Sequence, residues 1–153
     1  MIYLLLKTVH ILAAVLFIGN ITTGILWKLH GDRSNDPRVM AHTLAGIIRA
    51  DRWFTMPAVI VLLLSGLGLA HVGGYPFFGT FWIWAGLALF VATGIVAGRW
   101  VAPVQRKLLA VAGAPQFDAQ EYARLSAAWA RSGSIATLLP LAALVLMVFK
   151  PVF

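Results

Sequence analysis

The chain contains no cysteine and only five carboxylate side chains among its 153 residues. Without thiols there is neither a disulfide framework nor a thiolate metal site, so any metal must be held by His, Met, a carboxylate or a macrocycle. The five acids, Asp32, Asp36, Asp51, Asp118 and Glu121, fall outside the long apolar runs. A proton relay or cation-coupled transporter ordinarily places such a carboxylate within the membrane. No phosphate-binding glycine loop, Ser-His-Asp set or His-Glu-x-x-His pattern occurs, and no residue is assigned as catalytic. Charged residues make up only 11% of the chain against 61% hydrophobic, where a soluble domain carries roughly a quarter charged and about half apolar. A water-soluble fold of this size has no means of hiding so much apolar surface.

What is present is a set of long apolar runs. A membrane-spanning helix needs about 20 mostly apolar residues. Four runs qualify, at about 2–27, 53–70, 81–101 and 134–149. Pro140 within the fourth predicts a kink rather than a break, because neighbouring helices can satisfy the freed carbonyl. Lys7 lies inside the first run, with no cationic segment before the run and no cleavage pattern after it, so this run reads as a retained span rather than a signal peptide. The expected fold is all-α: a single domain over 1–153, built as a four-transmembrane-helix bundle with two cytoplasmic interfacial amphipathic segments.

The formal net charge of +7 would suggest nucleic acid in a soluble protein, but here ten of the twelve cations cluster in two connections, so the basicity is read as topology and no nucleic acid is expected. The first connection holds Lys28, Arg33, Arg38, Arg49 and Arg52, and the third holds Arg99, Arg106, Lys107, Arg124 and Arg131. The second, His71 to Thr80, has none. The positive-inside rule then puts connections one and three in the cytoplasm and both termini outside, in the periplasm for a bacterial inner membrane. The stretch from Tyr75 to Trp84 fits an outer aromatic belt.

Both basic connections read as partly helical. Asp36 caps and Pro37 starts a helix whose Met40, Leu44, Ile47 and Ile48 face one way and Arg38, His42 and Arg49 another. Such a helix would lie in the interface and run into the second span. Asp118 with Glu121 opens a second helix, with Phe117, Tyr122, Leu125 and Trp129 as its apolar side and 111–116 as the loop before it. Thr23-Gly24-Ile25 recurs as Thr93-Gly94-Ile95, the mark of a possible parallel repeat of span, amphipathic helix and span.

Polar residues at membrane depth are the functional candidates, and the first span holds the clearest set, Lys7, His10 and Asn20. Lys7 and His10 share one face of the first span, and His10 lies about 12 Å below the outer surface at 1.5 Å per residue. Either His10 is a ligand, or it hydrogen-bonds across the bundle to a Ser, Thr or carbonyl. Lys7 has the reach to snorkel outward. His71 closes the second span on the same side, about 10 Å shallower than His10 by helix rise, and either joins it as an axial ligand or simply complements the helix dipole. At the inner side His30, His42, Met40 and Met56 stand near Arg38, Arg49 and Arg52. These arginines suit propionates or lipid phosphates, or serve only as topology anchors. Arg52-Trp53 followed by Pro57 reads as the entry to span two. Gly86, Phe90, Gly94 and Gly98 form a small-residue stripe on span three, and Gly66 and Gly68 a shorter one on span two.

Lys7-Thr8-Val9-His10-Ile11, His30, Arg52 with Thr55-Met56-Pro57, Ser65-Gly66 and Gly98-Arg99-Trp100 together resemble a bacterial family of predicted integral membrane proteins, domain of unknown function 2269, over essentially the whole chain. More distantly the chain is similar to the HemJ-type membrane protoporphyrinogen oxidases, four-helix proteins that bind haem b and carry a similar Lys-x-x-His in their first span. That likeness implies haem b as cofactor and His10 as its ligand. The third span lacks the Lys and His of those oxidases, so it does not imply their activity. The cofactor set expected from sequence is His10, His71, Lys7 and Arg52, with His10 and His71 on the metal. The expected role is redox or porphyrin chemistry in the bilayer. The alternatives are a small-solute transporter or channel, or an accessory subunit that packs on other membrane subunits or a second copy.

Overall fold

A computed structural model describes residues 1–151; Val152 and Phe153, part of the single domain read from the sequence, lie outside the described residues. The described chain forms four long helices: α1 Ile2–Arg33, α2 Pro37–Val72, α3 Phe81–Ala112 and α4 Ala119–Phe149. All four are long and apolar enough to cross a membrane. They are longer than a bilayer requires, since 32 residues rise about 48 Å against a hydrocarbon core of about 30 Å. Each therefore projects beyond the membrane, and the projections gather at the end that carries the two basic connections.

The amphipathic segments are present, and each is continuous with its span. Asp36 accepts a hydrogen bond from the Arg38 amide and Pro37 occupies the first turn, so α2 begins where a cap and a pre-set φ favour it. Met40, Leu44 and Ile47 are buried along one face while Arg38, His42 and Arg49 stay exposed. Asp118 caps α4 by accepting from the Gln120 and Glu121 amides. The apolar faces of these two segments meet each other. Met40 and Leu44 of α2, Leu108 and Ala112 of α3, and Tyr122, Leu125 and Trp129 of α4 form one core, with Ile25 of α1 at its edge. Leu44 and Leu108 are wholly buried, each contributing on the order of 2 kcal/mol where its surroundings are wet in the unfolded state.

Several boundaries differ from the sequence reading. Helix α1 runs on through Lys28 to Arg33, leaving only three residues before α2, and α3 continues to Ala112, so the loop before α4 is 113–118 rather than 111–116. Pro57 does not open a helix. It sits inside α2, just after a π-helical turn over Asp51–Thr55, and Pro103 follows a matching π-turn over Ala97–Val101 in α3. A proline inside a helix has no N–H for the carbonyl four residues back and clashes with it. The wider turn relieves that clash, with Met56 N–H reaching the Asp51 carbonyl and Ala102 N–H the Ala97 carbonyl. These turns fall on the second helix of the first half and the first helix of the second half, so they do not follow the proposed repeat. The element plan does follow it: each half is a hairpin of two long helices with an Asp capping the second.

Towards the other end the bundle resolves into pairs. The Met56–Val72 part of α2 packs along α1, and the Phe81–Val96 part of α3 packs along α4. Ala13, Phe17, Ala58 and Leu62 fill the first pair, and the Phe17 and Phe90 rings, 6.2 Å apart, reach between the pairs. The glycine stripe of α3 is used only in part: a Cβ on Gly86 would meet Met147 of α4, whereas Gly94 and Gly98 face open space. In the connection between α2 and α3, the Tyr75 and Trp82 rings meet edge to face at 5.3 Å, and Lys150 stands over both.

Candidate functional site

His10 faces α2. Its Nδ1 lies 2.9 Å from Ser65 Oγ, and Ser65 spends its one proton on the Val61 carbonyl one turn back. With the Ser65 proton on the Val61 carbonyl, the Ser65 oxygen accepts from His10 Nδ1, and the matching neutral tautomer has its lone pair on Nε2; the opposite tautomer reverses the contact. Gly66 makes the approach possible, since a Cβ there would come within 3.1 Å of His10 Cε1. Gly68 gives Leu6 similar room. The imidazole is half-buried and is held against α2 by Ser65 and Gly66.

The other residues expected beside His10 stand apart from it. Lys7 is exposed one turn away on α1. His71 is exposed at the end of α2, six residues beyond Ser65 and so about 9 Å further along the axis. Arg52 is exposed thirteen residues before Ser65, about 20 Å towards the opposite end of the bundle. No geometry here joins Arg52 and His10 around one porphyrin. Of the four, His10 and His71 carry imidazole donors that fit an axial position on haem iron, and His10 is the one held against a neighbouring helix. At the basic end, His30 and His42 are exposed, Met56 is exposed and Met40 is buried in the core. No group of three or more His, Asp or Glu side chains suited to a metal gathers among the described residues.

The largest polar assembly was not expected from the sequence. Lys28, read there as an orienting charge in a loop, is buried to 2% exposure. Its ammonium pairs with the Asp32 carboxylate one turn on and donates to Ser126 Oγ of α4 at 2.7 Å. Tyr122 donates to the other Asp32 oxygen at 2.7 Å. Burial, and then the Asp32 carboxylate, push the Tyr122 phenol far above its ordinary range, so it remains a donor. The Lys28 ammonium also stands 5.0 Å from the Tyr122 ring centre and 5.7 Å from that of Trp129, within cation–π range.

Trp129 carries the chain of contacts onward. Its indole donates to Gln105 Oε1 at 3.2 Å, and Gln105 Nε2 donates to Asp51 Oδ2 at 3.3 Å. Asp51 Oδ1 accepts from Asn20 and Thr55, at 3.2 and 3.1 Å. Asn20 also donates to Thr55 Oγ at 2.8 Å. Asp51 thus lies not in a solvated connection but against Asn20 of the first span, turned inward by the π-turn that holds it. Residues of all four helices are tied into one line from Asn20 to Tyr122. Every buried side-chain nitrogen and oxygen among the described residues has a partner. A fully satisfied network of this kind fixes one arrangement of helices. The signals available in the sequence were Asn20 as a polar residue within the first span, Lys28 and Asp32 at i and i+4, and a proline within an otherwise continuous apolar pattern.

Four long helices with apolar outer faces, each long and apolar enough to cross a membrane, define a polytopic α-helical integral membrane protein. A family model described as predicted integral membrane protein, domain of unknown function 2269, matches residues 4–151. The chain belongs to that family. No curated protein and no solved structure matches it.

Proposed function

We propose that the protein is a redox protein of the bacterial inner membrane that holds haem b at His10, with its basic end in the cytoplasm and both termini outside. The observation that carries this reading is the fixed orientation of His10. Ser65, itself anchored on the Val61 carbonyl, engages Nδ1, which favours the tautomer with its lone pair on Nε2. Axial histidines ordinarily have their second nitrogen tied in this way, which sets the tautomer and the plane of the ring. Gly66 supplies the space in which that ring is held. Bound haem would supply one-electron transfer at the iron. The orientation in the membrane rests on the ten cations of the two basic connections.

The test is a reduced-minus-oxidised absorption spectrum of detergent-purified protein from cells supplied with haem. Sharp haem bands are expected in the parent. His10→Ala should abolish them while leaving the helical circular dichroism unchanged, and Ser65→Ala should keep the pigment with shifted bands. A blank spectrum in the parent, or unchanged bands in His10→Ala, overturns the reading. It would leave a second one in place, favoured by the open backbone at Gly94 and Gly98 on α3: a subunit that packs on another membrane helix.

A further inference from the structure

Where α2 meets α3 at the basic end there is a surface groove of about 390 Å³, lined by Ala45, Ile48, Arg49, Arg52, Trp53 and Leu109. Arg49 and Arg52 are three residues apart on one helix, close enough for both guanidinium groups to reach one anion. Both are exposed, and neither makes a hydrogen bond or ion pair among the described residues. No acidic side chain among the described residues is left over for them. Asp32 serves Lys28 and Tyr122, and Asp51 serves Asn20, Thr55 and Gln105. Asp36 and Asp118 cap helices, and Glu121 pairs with Arg124. Two guanidinium forks thus face a groove with no acidic partner among the described residues, free to take an anion from outside the chain.

The setting indicates its source. Trp53 is 69% exposed beside Arg52, and Trp27 and Trp100 are also exposed. Exposed indoles beside cations, each part-way along its helix, mark the headgroup level of a bilayer. On the membrane side of Trp53, α2 exposes Met56, Ile60 and Leu63, an apolar track for acyl chains. We infer that this groove binds one anionic phospholipid of the leaflet at the basic end, its phosphodiester clamped by Arg49 and Arg52 and its headgroup lying over Ala45, Ile48 and Leu109. The planar fork of arginine matches paired phosphate oxygens, and a basic pocket between helices at a headgroup level is the usual form of such a site. The site is independent of the haem reading and of the absolute orientation of the chain.

The experiment reconstitutes the full chain in nanodiscs of equal phosphatidylglycerol and phosphatidylethanolamine and counts the lipids retained on release by native mass spectrometry. One phosphatidylglycerol per chain is expected to survive release from the parent, with its retention at least tenfold lower in Arg49→Gln/Arg52→Gln. Arg33→Gln, which changes an exposed cation at the end of α1, should leave retention unchanged. Circular dichroism and size exclusion establish that all three proteins are folded, as their exposed positions predict. Equal retention of the two lipids by the parent, undiminished phosphatidylglycerol in the double variant, or an equal loss in Arg33→Gln would each overturn the site. The last outcome would reduce the effect to the general attraction of a basic surface for anionic lipid.

Discussion

At the basic end, Lys28, Asp32, Tyr122 and Ser126 draw α1 and α4 together, and Gln105 ties Trp129 to an Asp51 that also receives Asn20. At the other end α1 meets α2 through Leu6 against Gly68 and His10 against Ser65 and Gly66, while α3 meets α4 through Gly86 and Met147. The first arrangement is an apolar core outside the bilayer threaded by charge and hydrogen bonds. The second is shape fitting with one polar contact. The difference follows from the solvent on each side. Within lipid there is no hydrophobic force between helices, so association rests on close packing at small residues and on occasional polar bonds. Beyond the hydrocarbon, burial of Met40, Leu44, Leu108 and Leu125 again drives assembly, and the charges enclosed with them must find partners. The two halves therefore divide the work: the basic end sets which helices neighbour one another, and the other end leaves surface and space for a ligand or a partner.

The sharpest way to break this comparison is Lys28→Met. It leaves Asp32 with Tyr122 and Ser126 as donors but without its countercharge, and the loss of one partner from a buried pair costs about 3 kcal/mol. Thermal unfolding in detergent should show a large fall in midpoint. Adding Asp32→Asn should restore more than half of it, because the uncompensated charge goes with it. An unchanged midpoint in Lys28→Met would mean that the basic end is not what holds the bundle together.

Gln105→Leu should have the next largest effect, about 2 kcal/mol, because it strips a hydrogen bond from both Asp51 Oδ2 and the Trp129 indole and leaves each buried polar group short of a partner. The same unfolding measurement applies. Its effect should be additive with a change at Gly86, which lies in the other half, and non-additive with Lys28→Met, which shares Trp129. Additivity with both would show that the line from Asn20 to Tyr122 acts as separate contacts rather than as one network.

These two residues also mark the limit of what the sequence makes legible. Four spans follow from run length and hydropathy, and the starts of α2 and α4 follow from Asp36-Pro37 and Asp118, because such signals are local and act within one turn. The buried face of Met40, Leu44 and Ile47 is likewise a matter of period. Lys28 is different. Its partner Asp32 is four residues away, but Tyr122 and Ser126 are more than ninety residues distant, and only the packing of α1 on α4 turns a loop-like cation into a buried one. Asp51 is hidden for a related reason: the π-turn that directs it inward is a response to Pro57, six residues later. His10 was legible as a residue of consequence at its depth, and one of the two readings available from sequence, a bond to Ser or Thr across the bundle, names the contact it makes with Ser65. The separation of His10 from His71 and Arg52 was legible too, since helix rise places His71 about 10 Å shallower and Arg52 at the inner end of the second span; what the sequence did not fix is the register of α1 on α2 that sets His10 against Ser65.

The smallest effect is expected at the opposite end, from Gly86→Ala. A Cβ at that position would stand 2.5 Å from Met147 Cε, too close for any real contact, so something must move. What moves is the terminal methyl of an unbranched thioether with three rotatable bonds, the side chain best able to refit a gap. The relocation costs well under the 1–3 kcal/mol typical of an overpacked core, and replacing glycine by alanine within a helix returns about 1 kcal/mol. The two terms nearly cancel, and the unfolding midpoint should stay within a few degrees of the parent. A fall as large as that of Gln105→Leu would mean that α3 and α4 are locked by shape as firmly as the basic end is locked by charge, and the contrast between the two halves would not hold.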